Sequence, residues 1–317
     1  MTKDSLISKV DFILDSDSPK EMQMFGLKKN DEGPYKINVD QDFVPSVIEV
    51  VAEGIKSIIV EANYTIVDYS TADERKNRYY HYDIAEIPAS MKVLSEVIGN
   101  SVIADYNMNE DKIDGLENLI IVISNGADKC FSIFKHLSNV EKIATSRRAV
   151  IGIIGDSVLK SAKQTLLRIG SSFQVIYTSG NYILTNESFA ESCFKLHDVL
   201  KRQATRLIEK LEAKKIVSDI KKITKYKESA SFCRKLVKVL KDSRVLDVNF
   251  EKSKIFTFLD GEPEIATKIK IIEKKGEKFI EVNSKAAADV FLEILNDEYV
   301  KSEMTGFKYI APDKDYR

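Results

Sequence analysis

The chain has 317 residues, 44% hydrophobic and 31% charged, and this balance excludes a disordered polymer. Its longest apolar runs, Leu119–Ser124 and Ala149–Gly155, are far too short to span a bilayer. The formal net charge of -1 conceals a separation: residues 1–118 hold 12 Lys/Arg against 23 Asp/Glu, whereas residues 195–244 hold 16 against 6. A segment that basic attracts phosphate or another acidic surface.

In chain order, Leu6, Ile7, Val10, Ile13 and Leu14 recur at helical spacing and predict an opening helix. Met22–Leu27 and Tyr35–Val39 flank a turn-rich loop around Gly33-Pro34 and predict a hairpin. Val47, Ile48, Val51, Ile55, Ile58 and Ile59 mark an amphipathic helix with Pro45 in its first turn. Tyr64–Tyr69 and Arg78–Ile84 read as strands around a charged loop, and Pro88 introduces a helix through Met91, Leu94 and Val97. An acidic α+β domain is expected over residues 1–115, followed by a sheet-containing domain over 116–317.

In that second part, Leu119–Ser124 suits a strand buried on both faces, and Lys129–His136 and Ala149–Ile154 are further strand candidates. Phe173–Thr178 and Tyr182–Thr185 flank Ser179-Gly180-Asn181, a strong hairpin signal. The chain then turns helical, and a basic helical subdomain is expected over 187–244. Leu196, Leu200, Ala204, Leu207 and Leu211 form one apolar stripe, with Arg202, Arg206 and Lys210 beside it. Ile216, Ile220 and Ile223 form a second stripe nearly opposite in phase, so a break is expected near Ala213–Lys215. Glu228–Lys241 predicts a helix with Arg234, Lys235 and Lys238 facing outward. Ile265–Ile272 and Lys278–Val282 flank another turn, and Ser284 caps a last helix. The fold class expected is α+β with a mixed, mostly antiparallel sheet.

No phosphate loop, dinucleotide fingerprint, nucleophile elbow or zinc spacing occurs. Gly152–Ser157 lacks a Lys and reads as a strand end and turn. His81, His136 and His197 are isolated from one another and read as structural. Cys130, Cys193 and Cys233 lack ligand spacing and read as buried, reduced thiols; with no signal peptide, this points to a cytoplasmic protein. A metal-dependent nuclease would need clustered acids near a strand plus Glu-x-Lys. Asp68 with Glu74-Arg75-Lys76 matches the letters from a polar loop, and Glu212-Ala213-Lys214 matches them from a helix. No catalytic residue, metal site or cofactor is assigned.

The basic helices carry a further choice between a polyanion, solvent and an acidic protein surface. The sustained excess of one sign favours the polyanion, and with only Tyr226 and Phe232 interleaved, a duplex backbone over single-strand stacking. Arg202, Arg206, Lys210, Lys214, Lys221, Lys225, Arg234, Lys235 and Lys238 are the expected DNA phosphate contacts.

Two stretches carry a resemblance. One is Leu166-Leu167-Arg168 with Ser172-Phe173-Gln174-Val175-Ile176, Tyr182–Asn186 and Phe189. The other is Ile294–Gly306 with Tyr309 and Lys314. Together they resemble the KwaB family of the Kiwa anti-phage defence system. The resemblance implies a cytoplasmic, homodimeric DNA-binding subunit; taken with the charge pattern, the expected function is non-enzymatic, largely sequence-independent binding of double-stranded DNA. It also implies recruitment to the inner membrane through a small multi-spanning partner, KwaA, and interference with phage DNA replication and expression. A nuclease effector and a protein-docking scaffold are the alternatives. The motif assigns no catalytic residue, and Asn296-Asp297 and Ser302–Gly306 suit a helix exit and a turn.

Overall fold

The computed structural model describes residues 1–29, 33–70, 77–100, 102–107, 115–126, 129–138, 142–143, 152–155, 158–161, 166–246, 251–302 and 304–311. The chain forms two compact units, Met1–Tyr69 with Arg75–Phe194, and Ser70–Glu74 with Lys195–Arg317.

The first unit opens with α1 (Lys3–Leu14), whose N-cap Thr2 accepts a hydrogen bond from the Ser5 amide at 3.2 Å. Strands β1 (Glu21–Lys28) and β2 (Pro34–Ile37) pair antiparallel. Helix α2 (Val44–Gly54) runs directly into a π-helical segment, Ile55–Glu61. Then come β3 (Thr65–Asp68), β4 (Arg78–His81) and α3 (Ala89–Glu96). The long strands β5 (Leu116–Ser124) and β6 (Cys130–His136) follow. Four short strands come next: β7 (Lys142–Ile143), β8 (Gly152–Gly155), β9 (Val158–Ser161) and β10 (Leu166–Leu167). The hairpin β11 (Val175–Thr178) and β12 (Asn181–Leu184) leads into α4 (Glu187–Phe194).

Among the described residues, eight strands make one sheet in the order β2-β1-β5-β6-β11-β12-β4-β3. Every pair is antiparallel except β3 with β4, which run parallel although only residues 69–77 connect them. The expected α+β class with a mostly antiparallel sheet is what the chain adopts.

The expected break near residue 115 does not fall there: residues before it supply both flanks of the sheet, and residues after it fill the centre. The reason is β5. Leu119 through Ile123 are all at most 5% exposed, so the strand needs a neighbour on each edge and a layer on each face. Leu119, Ile121 and Ile123 meet Leu6 and Val10 of α1 and Val47, Val51, Ile55 and Ile59 of the α2 segment. On the opposite face Phe134 packs its ring against Phe194 of α4, 5.0 Å between centroids, and Ser132 Oγ donates to the Leu94 carbonyl of α3.

The second unit begins with α5 (Leu196–Lys214). Residues 216–218 are extended, followed by α6 (Lys221–Thr224), a 3-10 turn at Lys225–Glu228 and α7 (Ala230–Asp242). Next are α8 (Lys252–Gly261), α9 (Pro263–Ala266) and the hairpin β13 (Lys270–Lys274) and β14 (Glu277–Glu281). Helix α10 (Lys285–Leu295), capped by Ser284 as expected, precedes the hairpin β15 (Tyr299–Lys301) and β16 (Lys308–Ile310). Four features of this unit depart from the sequence expectation. Ile216 joins an extended segment rather than a second long helix, Ile265 lies in α9 rather than a strand, and α8 and the last hairpin were not foreseen.

The Ile216–Ser218 segment pairs parallel with β14: the Ser218 amide donates to the Ile280 carbonyl and the Ile280 amide to the Ile216 carbonyl, both at 2.9 Å. Glu281 completes the junction, accepting from Lys270 at 2.9 Å and lying 3.6 Å from Lys222. The Lys270 hydrogen bond, with that of Asn283, holds the Glu281 carboxyl down at about 2.

Two outcomes follow from these contacts. A Cβ on Gly54 would lie 2.2 Å from the Ser171 carbonyl oxygen and 2.9 Å from Phe173 Cε1. Gly54→Ala is therefore expected to destabilise by roughly 1–3 kcal/mol in urea unfolding, although Ala gains about 1 kcal/mol at an ordinary helix position. For Glu281 the folded pKa is depressed, so its contribution is complete above the ordinary carboxylate value and lost as pH falls towards 2. Glu281→Gln is expected to show a smaller loss of thermal midpoint than the wild type across that acid window.

Candidate nucleic-acid interface

Helix α5 is built from two faces. Leu196, Val199, Leu200, Gln203, Ala204, Leu207, Ile208 and Leu211 are buried. Arg202, Arg206, Glu209, Lys210, Glu212 and Ala213 are exposed. At about 100° per residue, Arg202, Arg206 and Lys210 fall within an arc of about 80°, each roughly 6 Å further along the axis. The buried Gln203 accepts a hydrogen bond from Arg206 Nη1 at 3.2 Å, which engages one nitrogen of that guanidinium. Among the described residues no carboxylate pairs with Lys210.

The 3-10 turn docks on the flank of this face. Lys201 Nζ meets Glu228 Oε2 at 2.5 Å, and Lys227 Nζ donates to Thr205 Oγ1 at 3.0 Å. Lys201 holds the Glu228 carboxyl below its usual range, and Glu228 raises the Lys201 ammonium. These two lysines therefore serve as struts. Lys225, on the same turn, is exposed, with its ammonium 4.8 Å from the Tyr226 ring centroid, and Lys221 is exposed on α6. Lys214 is half-buried at the C-terminal end of α5, where a positive charge suits the helix dipole.

The residues expected on α7 do not join this group as foreseen. Arg234 is only 4% exposed and cannot reach a phosphate from that position. Phe232, Cys233, Leu236, Val237 and Val239 are buried around it, so most of the α7 circumference is interior and a polar letter at 234 did not imply a polar environment. Lys235 Nζ lies 2.7 Å from Asp289 Oδ1 of α10, so its charge is largely met within the protein. Lys238 is half-buried. The structure thus gathers Arg202, Arg206 and Lys210 on one face, adds exposed Lys221 and Lys225, and removes Arg234. Sequence reasoning missed Lys215, exposed at the α5 C-cap in a left-handed conformation (φ 50°). Its signal was the lysine pair at the expected helix break.

The other candidate chemistry is placed as follows. His81 Nδ1 lies 3.0 Å from Asp68 Oδ1 and its Nε2 3.1 Å from Asn181 Oδ1, across β3, β4 and β12. His136 Nδ1 meets Asn118 Oδ1 at 2.9 Å, and the ring packs on Phe189. Glu74-Arg75-Lys76 lies outside the described residues. Glu212 is on the exposed face of α5. Among the described residues no three His, Cys, Asp or Glu side chains are placed to hold a metal ion, and no helix is long and apolar enough to cross a membrane. Cys233 is buried and its thiol donates to the Lys227 carbonyl, whereas Cys130 and Cys193 are only half-buried. Burial pushes the Cys193 and Cys233 thiols up to about 11.

The C-terminal resemblance segment is structural in form. Asn296 caps α10, 3% exposed, with its Nδ2 donating to Glu298 Oε1 at 2.7 Å. Asp297 has φ 52° at the helix exit, and the Gly306 amide donates to the Ser302 carbonyl at 2.8 Å, closing the turn between β15 and β16.

The Kiwa protein KwaB of Escherichia coli O55:H7 (strain RM12579 / EPEC) is 25% identical over 280 residues, covering 85% of this chain and 87% of that protein. No solved structure matches the chain. The family model described as "Kiwa protein KwaB-like" matches residues 113–305, which take in β5, the central hairpin, all of the basic helices and β15, and the chain belongs to that family.

Proposed function

We propose that this member of an anti-phage defence family acts as a non-enzymatic, largely sequence-independent DNA-binding subunit. The observation that supports the reading is the exposed Arg202–Arg206–Lys210 face of α5, backed by Lys221 and Lys225. An apolar stripe holds the other side of that helix in the core, so the basic residues stand on its solvent-exposed side. Arginine forks and lysine ammonium groups in this setting neutralise phosphates and release counterions; with few aromatic side chains beside them they grip the backbone rather than read bases.

The family resemblance supports the wider setting. In it the chain is cytoplasmic, forms a homodimer and is brought to the inner membrane by a small multi-spanning KwaA-like protein. There it obstructs enzymes that copy or express phage DNA. Blockage by occupancy requires no chemistry on the nucleic acid.

The test is affinity for a random-sequence duplex measured across salt concentration, with and without magnesium. Log affinity is expected to fall steeply with log salt, by about 0.9 per phosphate contact, without strand cleavage in either condition. Arg202→Glu, Arg206→Glu and Lys210→Glu combined are expected to flatten the slope by about 3 and to weaken binding of every duplex alike, with the thermal midpoint measured alongside to show that the variant is folded. Magnesium-dependent cutting that Asp68→Ala removes would replace this reading with a nuclease. Absence of duplex binding at low salt would replace it with a scaffold.

A further inference from the structure

Among the described residues six that are not glycine adopt positive φ, and two of the lysines in that group occupy ends of the same local assembly: Lys215 (φ 50°) and Lys275 (φ 52°). Left-handed backbone is disfavoured for a side chain carrying Cβ, and the residues ordinarily found there are glycine and asparagine. Lys215 stands just past the last turn of α5, the position where glycine usually closes a helix. Lys275 is the first central residue of the two-residue turn between β13 and β14, followed by Gly276 (φ 79°). That pair of conformations is the hairpin turn for which Asn-Gly is the preferred sequence. Both lysines are exposed, and among the described residues neither has a carboxylate partner. Local structure alone therefore does not account for a lysine at either place. A cation at the α5 C-terminus gains from the helix dipole, but Lys214 already supplies one there, and the hairpin tip has no such field.

The pairing of residues 216–218 with β14 brings the two together. The ladder is parallel at Val217 and Ile280, so the residues preceding each lie on the same side of the bridge. Lys215 is two residues before Val217, and Lys275 is five before Ile280, which sets the hairpin tip about 10 Å further along the strand direction. Arg202 to Lys215 adds about 20 Å of helix. The whole track is thus at most about 30 Å, within one 34 Å turn of duplex. Of the acids nearby, Glu281 is held by Lys270 and Lys222 and Glu277 lies 3.6 Å from Lys252, while Glu273 and Glu277 beside the tip and Glu212 and Asp219 near Lys215 are exposed.

We propose that Lys215 and Lys275 are phosphate contacts that extend the α5 stripe onto the β13–β14 hairpin, so that helix and hairpin tip grip one duplex. The proposal rests on the DNA-binding reading above and names a part of the site outside the basic helices.

Asparagine variants test it cleanly, because asparagine suits left-handed backbone better than lysine and lacks the charge. With the full-length protein and a random-sequence duplex of about 16 base pairs, Lys215→Asn and Lys275→Asn are each expected to reduce affinity about 5–10-fold at 0.1 M salt and to flatten the salt slope by about 1. Their thermal midpoints are expected to equal or exceed that of the wild type. Lys254→Asn, an exposed lysine on α8, is expected to leave the slope unchanged. Wild-type slopes in both asparagine variants, with binding still abolished by charge reversal on α5, would overturn the hairpin contact and leave the DNA-binding reading standing. An equal loss in Lys254→Asn would overturn it too, by showing that net charge alone decides. A wild-type protein that binds no duplex would instead sink the underlying reading.

Discussion

Burial of the Leu200–Leu207–Leu211 stripe of α5 settles which way every charged side chain on that helix faces. Each leucine removed from water contributes roughly 1.5–3 kcal/mol, whereas an exposed ion pair contributes about 0–1 kcal/mol. The apolar stripe therefore orients the helix, and the charges follow. Lys210 has no carboxylate partner among the described residues, and at that position a residue of either sign would be solvated equally well. What the fold does require is met separately: Lys201 and Lys227 pin the 3-10 turn, and Lys235 meets Asp289. The lysines and arginines of this unit thus divide into those that hold the structure and those that the structure holds out.

The same division organises the hairpin. Lys270, Lys252 and Lys278 each lie within 4 Å of an acidic side chain and tie β13, β14 and α8 together. Lys275 at the tip has no such role among the described residues, and its backbone is in a conformation that suits other residues better. A parallel pairing of only three residues, 216–218 on β14, makes the helix end and the hairpin one surface. A small number of backbone hydrogen bonds is enough because Ile216 and Ile280 are both buried beneath it.

Local pattern carried much of this structure and non-local pairing carried the rest. The stripe of Leu196, Leu200, Leu207 and Leu211 repeats at the helical period, so α5 and its basic face were legible from spacing alone. The break at Lys215 was legible because the next apolar residues are out of phase. That Ile216 then runs extended was not, since the partner strand lies more than sixty residues away in sequence. Strand β5 was legible from its continuous apolar run, but not that β1 and β2 would flank it on one side while β3 and β4 close the sheet on the other. That order is why an apparent boundary at residue 115 is interior to a sheet. Arg234 shows the opposite failure: charge was taken as a sign of exposure on a helix that is buried around most of its circumference. The Asp68–His81–Asn181 group was invisible because its members come from three strands.

Lysine acetylation footprinting of the full-length protein, with and without a random duplex of about 20 base pairs at low salt, tests most directly whether these side chains meet a polyanion. Lys210, Lys221 and Lys225 should lose reactivity when duplex is added, while Lys235 and Lys254 keep theirs. Unchanged labelling of Lys210 in a demonstrably bound complex, or equal protection of all five lysines, would contradict a defined basic face on α5.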